Sequence, residues 1–270
     1  MNLSAYTVPD IPLIQKGDDL AEIICERTVL HDHDIIAIAS TIVAKAEGRI
    51  IELQDISPSE HAISIAECNC SDPRFVQMVL DESEEILLES PFLLVKTRNG
   101  NICVNAGIDG SNIDRGHVVL LPENSDQSAK NIRDEIFSIT DKKVSVIVTD
   151  TNGRAFRDGQ TGVAIGISGI RPTRDWRGSC DLFGNVLEVA NEAIVDELAG
   201  AANLLFGEAC DGTPVVIISG LDFYAEEDGI GRMYFPESED VIRSALMQTR
   251  HGDAAIRTQE DRSKGRLHLT

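Results

Sequence analysis

The sequence predicts a mixed α and β protein that is neither a P-loop nor a Rossmann fold, with any domains interleaved rather than strung out. Three observations carry that reading. Short apolar runs of strand length alternate with stretches of helical spacing over most of the 270 residues. No internal repeat or long linker divides them. Neither nucleotide-binding signature is intact. Gly153-Arg-Ala-Phe-Arg-Asp-Gly159-Gln160-Thr161 puts five residues between its glycines where a P-loop has four, and Gln160 where the phosphate-gripping lysine belongs. Gly229-Ile-Gly231 lacks the third glycine of the dinucleotide fingerprint.

Taken in order, Gly17-Asp18-Asp19 opens a helix over residues 20–26, and Ile35-Ile-Ala-Ile-Ala39 reads as a buried strand after the turn His31-Asp-His33-Asp34. That strand delivers Ser40-Thr41 into a segment holding Lys45, Gly48 and Arg49. Ser57-Pro58-Ser59-Glu60 has capping-box spacing with proline at the first helical position, and Asp72-Pro73 starts another helix towards Leu80. Residues 93–96 and 102–104 read as strands about the turn Asn99-Gly100-Asn101. The glycine-rich loop Asn105-Ala-Gly-Ile-Asp109-Gly-Ser-Asn112 leads to a strand at 118–121, and Ser125-Asp126 caps a helix through Phe137. Residues 144–149 form a buried strand, 159–169 a glycine-punctuated apolar segment, 189–206 a helix stopped by Gly207, and 214–218 one more buried strand. From His251 the chain turns charged and weakly apolar, which marks residues 251–270 as a mobile tail.

The formal charge is −21, from 24 Lys+Arg against 45 Asp+Glu. Such a charge disfavours nucleic acid and anionic membrane surfaces as partners. The start carries no basic segment followed by an apolar run, and no apolar stretch approaches the ~20 residues of a membrane span, so a cytoplasmic protein is expected. Six scattered cysteines, with only Cys68 and Cys70 close together, form no zinc set and read as free thiols.

Against that acidity, residues 154–177 hold five arginines (Arg154, Arg157, Arg171, Arg174, Arg177) and two acids, so this window stands at +3 and the remainder at −24. Just before it, Asp150 and Thr151 end a rigid strand. They are hard oxygen donors suited to Mg²⁺ or Mn²⁺, and arginines behind them suit phosphate or carboxylate. Lys45 follows a strand end in a helix-start setting, where backbone N–H groups and an ammonium can share a phosphate. Asp109, Asp150 and Glu208 each lie beside glycine or a hydroxyl residue near an element end; converging, they would hold two divalent ions. The plainer alternatives are turn carboxylates, a surface lysine and solvated arginines. His31 and His33, two apart on a turn, read as solvated rather than as ligands.

Together these stretches resemble the coenzyme F420-0:L-glutamate ligase (F420 gamma-glutamyl ligase) family. The resemblance runs through Ile11-Pro-Leu-Ile14, Gly17-Asp-Asp-Leu20, Ile38-Ala-Ser-Thr-Ile-Val-Ala-Lys-Ala-Glu-Gly-Arg49, Asp72-Pro-Arg74, Asn105 to Asn112 and Leu120-Leu-Pro122. Its most specific block is Val146-Ile-Val-Thr-Asp-Thr-Asn-Gly-Arg-Ala-Phe-Arg-Asp-Gly159, followed by Ala164-Ile-Gly166 and Arg177-Gly178 with Asp181. It implies an α+β subunit of two interleaved domains with mixed and antiparallel sheets, forming homodimers, with residues 1–250 as the ligase region.

The resemblance further implies a GTP-dependent ligase that forms amide and gamma-glutamyl bonds on the deazaflavin coenzyme through an acyl phosphate. Its substrates are GTP, L-glutamate and coenzyme F420-0, with two Mg²⁺ or Mn²⁺ per site and K⁺ as an additional ion. Asp109, Asp150, Thr151 and Glu208 match the metal positions. Ile11, Pro12, Leu13, Ile14, Ser40, Thr41, Lys45, Asn112, and Phe206, Gly207, Glu208, Ala209, Cys210, Asp211, Gly212 and Thr213 match GTP contacts. Asp150, Lys45, Arg154 and Arg157 carry the catalytic expectation, the arginines as anion receivers. A related ligase with another acceptor or amino acid, a metal-dependent phosphohydrolase and a coenzyme-binding module are the competing readings.

Overall fold

A computed structural model describes residues 2–226 and 229–248. The chain begins with β1 (Ser4–Thr7), α1 (Leu20–Arg27), β2 (Ile35–Ala39), α2 (Ser40–Glu47), β3 (Ile50–Glu52), α3 (Glu60–Asn69) and α4 (Pro73–Asp81). It continues through β4 (Ser83–Leu88), β5 (Leu94–Thr97), β6 (Ile102–Val104), β7 (His117–Val119) and α5 (Ser125–Thr140). Last come β8 (Ser145–Arg154), β9 (Arg157–Ser168), β10 (Arg174–Asp175), β11 (Asn191–Glu192), α6 (Ile194–Phe206) and β12 (Val215–Ser219). The sequence-based expectation for residues 251–270 lies outside the described residues.

A five-stranded sheet in the order β1-β12-β2-β8-β9 organises the molecule. β2 and β8 run parallel, and the other neighbours antiparallel, which is not a Rossmann arrangement. Alternate side chains feed opposite cores. Ile36, Ile38, Val146, Val148 and Ile217 meet Ile24 of α1 and Ile136 of α5 on one face. Ile35, Ala37, Ile147, Val216 and Ile218 meet Leu198 and Ala202 of α6 on the other. Cover on both faces explains why β2 and β12 read as continuous apolar runs. A third apolar cluster is built from residues between α2 and α5, including Ile65, Val79, Leu93, Val95 and Leu120. The mixed α and β composition in several sheets agrees with the sequence.

Local caps explain several boundaries. Asp19 caps α1 by accepting from the Glu22 N–H, and Asp72 caps α4 with Pro73 at its first position. Elsewhere the sequence-based boundaries move. The cap of α3 is Ser59, whose hydroxyl accepts from Ala62 N–H, so Ser57 and Pro58 stay outside the helix. Asn124, rather than Ser125 or Asp126, caps α5. Residues 189–193 precede α6, with Asn191 and Glu192 paired to Asp175 and Arg174 as short strands.

The largest difference lies in β8, which runs on past Thr149 to Arg154. Thr-Asp-Thr-Asn-Gly has the composition of a turn, yet pairing with residues 160–164 of β9 supplies the backbone partners that keep it extended. Asp150 therefore stands within a long hairpin at the level where β8 leaves the core, not in a loop.

Candidate active site

The parallel register of β2 and β8 creates the first contact. Ala39 pairs with Thr149, so the next residues, Ser40 and Asp150, emerge side by side, and Ser40 Oγ donates to Asp150 Oδ1 at 3.3 Å. Ser40 also begins α2, whose cap position is Ala39; no side-chain oxygen caps the first-turn N–H groups. Burial pushes the Asp150 carboxyl up to about 6, and the negative Asp109 and Glu208 push the same way against bonds from Thr151 N–H and Ser40.

Asp109 is pinned by a pair of backbone bonds with Val119, at 3.0 and 2.8 Å, and its side chain accepts from Ser111 N–H at 2.8 Å. Lys45, on α2, donates from Nζ to the Asn112 carbonyl oxygen at 2.7 Å. Burial lowers its pKa, opposed by Asp109. Asn112, in the left-handed region at φ 50, sends its amide to Ala209 O at 3.2 Å. The segment 206–213 is thereby joined to the 109–112 loop.

Segment 206–213 closes on itself. Thr213 Oγ1 donates at the C-terminus of α6, to the carbonyls of Leu205 and Phe206 at 3.0 and 2.9 Å. Gly207 turns the chain at φ 70 and ψ 176, a conformation that side chains disfavour and glycine adopts. Glu208 then points back to α6, where Asn203 Nδ2 donates to its Oε1 at 2.8 Å. Thr151 Oγ1 donates to Asn203 Oδ1 at 3.2 Å. Asn203 was not expected from the sequence; nothing in its neighbourhood marks it apart from helical spacing.

Four segments of the expected set thus meet: Ser40 to Lys45, Asp109 to Asn112, Asp150 with Thr151, and the 206–213 loop. Asp109 and Glu208 act electrostatically on Asp150, yet among the described residues no three His, Cys, Asp or Glu side chains gather into a ready-made metal cage. The donors are carboxylate and hydroxyl oxygens, which suit a hard cation, and a partly buried carboxylate beside two others gains most from one.

Other expected residues are placed differently. Ile14 is buried in the core with Ile11 packed against that cluster, whereas Pro12 and Leu13 face outward. Thr41 is half-buried, and Cys210, Asp211 and Gly212 are exposed. Arg154 and Arg157 pair across the hairpin tip, roughly 13 Å along the strand from Asp150 at about 3.3 Å per residue. Among the described residues neither joins an ion pair; Arg154 reaches only the Asp158 carbonyl, at 3.4 Å. Arg174 is held by Glu192 at 2.6 Å and lies over the rings of Trp176 and Phe223, and Arg177 is paired with Asp175 at 2.6 Å. The arginine window therefore divides into two paired members, Arg174 and Arg177, and three, Arg154 and Arg157 at the hairpin tip and the exposed Arg171, that join no ion pair among the described residues. His31 pairs with Asp34, while His33 pairs with Asp222 and stacks on Tyr224. No helix among the described residues is long and apolar enough to cross a membrane.

This geometry defines a mixed α and β protein, outside both common nucleotide folds, with an oxygen-lined site built from four separated segments. The F420-0:gamma-glutamyl ligase family matches residues 10–220, and the chain belongs to that family. Its relatives include the coenzyme F420:L-glutamate ligase of Methanosarcina barkeri, 57% identical over 247 residues, covering 91% of this chain and 97% of that protein. That of Archaeoglobus fulgidus is 50% identical over 246 residues, covering 91% and 98%. That of Natronomonas pharaonis is 45% identical over 252 residues, covering 91% and 97%.

Proposed function

We propose that this protein is a GTP-dependent ligase that attaches L-glutamate to coenzyme F420-0, a reaction of F420 biosynthesis. Membership of the family and the names of its relatives support the substrates. One observation supports the chemistry: the segments carrying an uncapped helix start, Lys45 and the carboxylates Asp109, Asp150 and Glu208 are linked by hydrogen bonds of Ser40, Asn112 and Asn203.

A carboxylate does not condense with an amine in water, because its oxygen leaves poorly. In the proposed reaction the coenzyme's lactyl carboxylate attacks the γ-phosphorus of GTP; the bond to the bridging oxygen breaks and GDP leaves. The glutamate amine then attacks the acyl carbon, loses a proton, and expels phosphate as the amide forms. Further glutamates would join through the γ-carboxylate of the one before. Such transfer needs positioning and charge neutralisation rather than covalent help.

The chain's residues divide that work. The first-turn N–H groups of α2 and the Lys45 ammonium hold phosphate oxygens. Asn112 and the 206–213 loop border the nucleotide. Asp109, Asp150, Thr151 and Glu208 would hold two Mg²⁺ or Mn²⁺, which when bound supply charge neutralisation on the transferring phosphoryl group; K⁺ is a further ion in this reading. Arg154 and Arg157, which at the hairpin tip join no ion pair among the described residues, receive the anionic coenzyme or glutamate. Phe156, Leu182 and Phe183 are exposed at 98%, 102% and 91%, and a homodimer would give such apolar side chains a partner surface.

Purified protein incubated with GTP, Mn²⁺, L-glutamate and coenzyme F420-0 tests the reading by product mass. The coenzyme should gain glutamate only when all components are present. GTP hydrolysis with unchanged coenzyme would point instead to a phosphohydrolase, and turnover restricted to another acceptor or amino acid to a related ligase.

A further inference from the structure

Thr151 and Glu208 come from different elements, β8 and the loop after α6, yet one side chain touches both. Asn203 accepts from Thr151 Oγ1 at 3.2 Å and donates to Glu208 Oε1 at 2.8 Å. We infer that Asn203 is a positioning residue that presents Thr151 and Glu208 to a divalent ion, an inference that rests on the function proposed above.

The hydrogen-bond inventory leaves one arrangement. An ionised Glu208 can only accept, so the Asn203 NH₂ must face it and the Asn203 carbonyl must face Thr151. The single hydroxyl proton of Thr151 is then directed to Asn203, which leaves the lone pairs of its oxygen to face a cation. Glu208 is steadied through Oε1 and keeps its negative charge and Oε2. A lysine or arginine in this place would neutralise Glu208, and a carboxylate would repel it. A neutral amide does neither.

The backbone is shaped to bring Asn203 there. Gly162 lies opposite Thr151 across the hairpin. A Cβ at Gly162 would stand 2.4 Å from the Ala199 carbonyl oxygen and 3.0 Å from Asn203 Cβ. On the facing surface of α6, a Cβ at Gly200 would lie 3.3 Å from Thr161 Oγ1. Two glycines thus let helix and hairpin approach where the amide must reach both ligand residues.

Mn²⁺ binding in the presence of GTP, followed by electron paramagnetic resonance, tests this without relying on turnover. Asn203→Ala should weaken Mn²⁺ binding about tenfold or more, with an unchanged circular dichroism spectrum. Asn203→Asp keeps the shape and the Thr151 contact but repels Glu208, and should weaken binding as well. The loss in the Asn203→Ala, Glu208→Gln double variant should be smaller than the product of the two single losses, as for residues acting through one another. Unchanged Mn²⁺ affinity in both Asn203 variants would overturn the inference, as would losses that simply multiply in the double variant. Failure of the unaltered protein to bind Mn²⁺ with GTP would instead remove the underlying functional reading, and this inference with it.

Discussion

Lys45 Nζ donates to the Asn112 carbonyl oxygen at 2.7 Å, so the helix that follows the first buried strand is tied to the loop carrying Asp109. That bond spans two parts of the chain with separate hydrophobic surroundings, Val43 in one apolar cluster and Ile108 in another.

Lys45→Ala is expected to weaken GTP binding by on the order of 1.5–3 kcal/mol, the usual worth of a hydrogen bond to a charged group, or about 10- to 150-fold in affinity. Titration with GTP reads this directly. Equal affinities for variant and parent would return Lys45 to the role of a loop tether.

The hairpin arginines should behave differently from the paired ones. Replacing Arg154 or Arg157 by Gln is expected to raise the Michaelis constant for coenzyme or glutamate several-fold, with a penalty that shrinks as salt rises. Arg177→Gln should do less, because Asp175 already answers its charge at 2.6 Å. Measurements at low and high ionic strength check it. An equal effect of all three substitutions, independent of salt, would show that position on the hairpin is immaterial.

Gly162→Ala should destabilise the protein by about 1–3 kcal/mol, the typical toll of overpacking, since its Cβ would meet the Ala199 carbonyl at 2.4 Å. Gly231→Ala, with nothing within 4 Å of the added Cβ, is the control and should change stability little. Urea unfolding distinguishes them, and equal midpoints would contradict the close approach of α6 to the hairpin.

In metal-free protein, burial and two neighbouring carboxylates raise the Asp150 pKa from 3.8 to about 6. Its ionised form is therefore disfavoured by folding. The penalty is absent below the unfolded value, grows between roughly pH 4 and 6, and is fully present above. Asp150→Asn should accordingly abolish turnover yet make the metal-free protein more stable at pH 8, by on the order of 3 kcal/mol. The advantage should vanish near pH 3.5. Unfolding curves in chelator at both pH values decide it; a variant less stable at pH 8 would show that the Asp150 carboxylate is a structural anchor.

Much of this was legible in the sequence because the governing interactions are local. Asp19 and Asp72 announce their helices through bonds a few residues away, and the doubly covered β2 and β12 can only be apolar throughout. The continuation of β8 through Asp150 was hidden, since Thr-Asp-Thr-Asn-Gly looks like a turn until β9 lies beside it. The arginine window was legible as a charge anomaly but not as two kinds of arginine, because Glu192, which answers Arg174, sits 18 residues away. Asn203 could not be found at all: its meaning depends on the register of α6 against the hairpin.

The central claim is that GTP activates the coenzyme's carboxylate before glutamate adds. The most direct measurement follows oxygen from a coenzyme F420-0 carboxylate enriched in ¹⁸O, with GTP, Mn²⁺ and glutamate present. An acyl phosphate requires that one labelled oxygen pass from the carboxylate into the released phosphate, in step with glutamate addition. Glutamylated coenzyme accompanied by unlabelled phosphate would contradict the account.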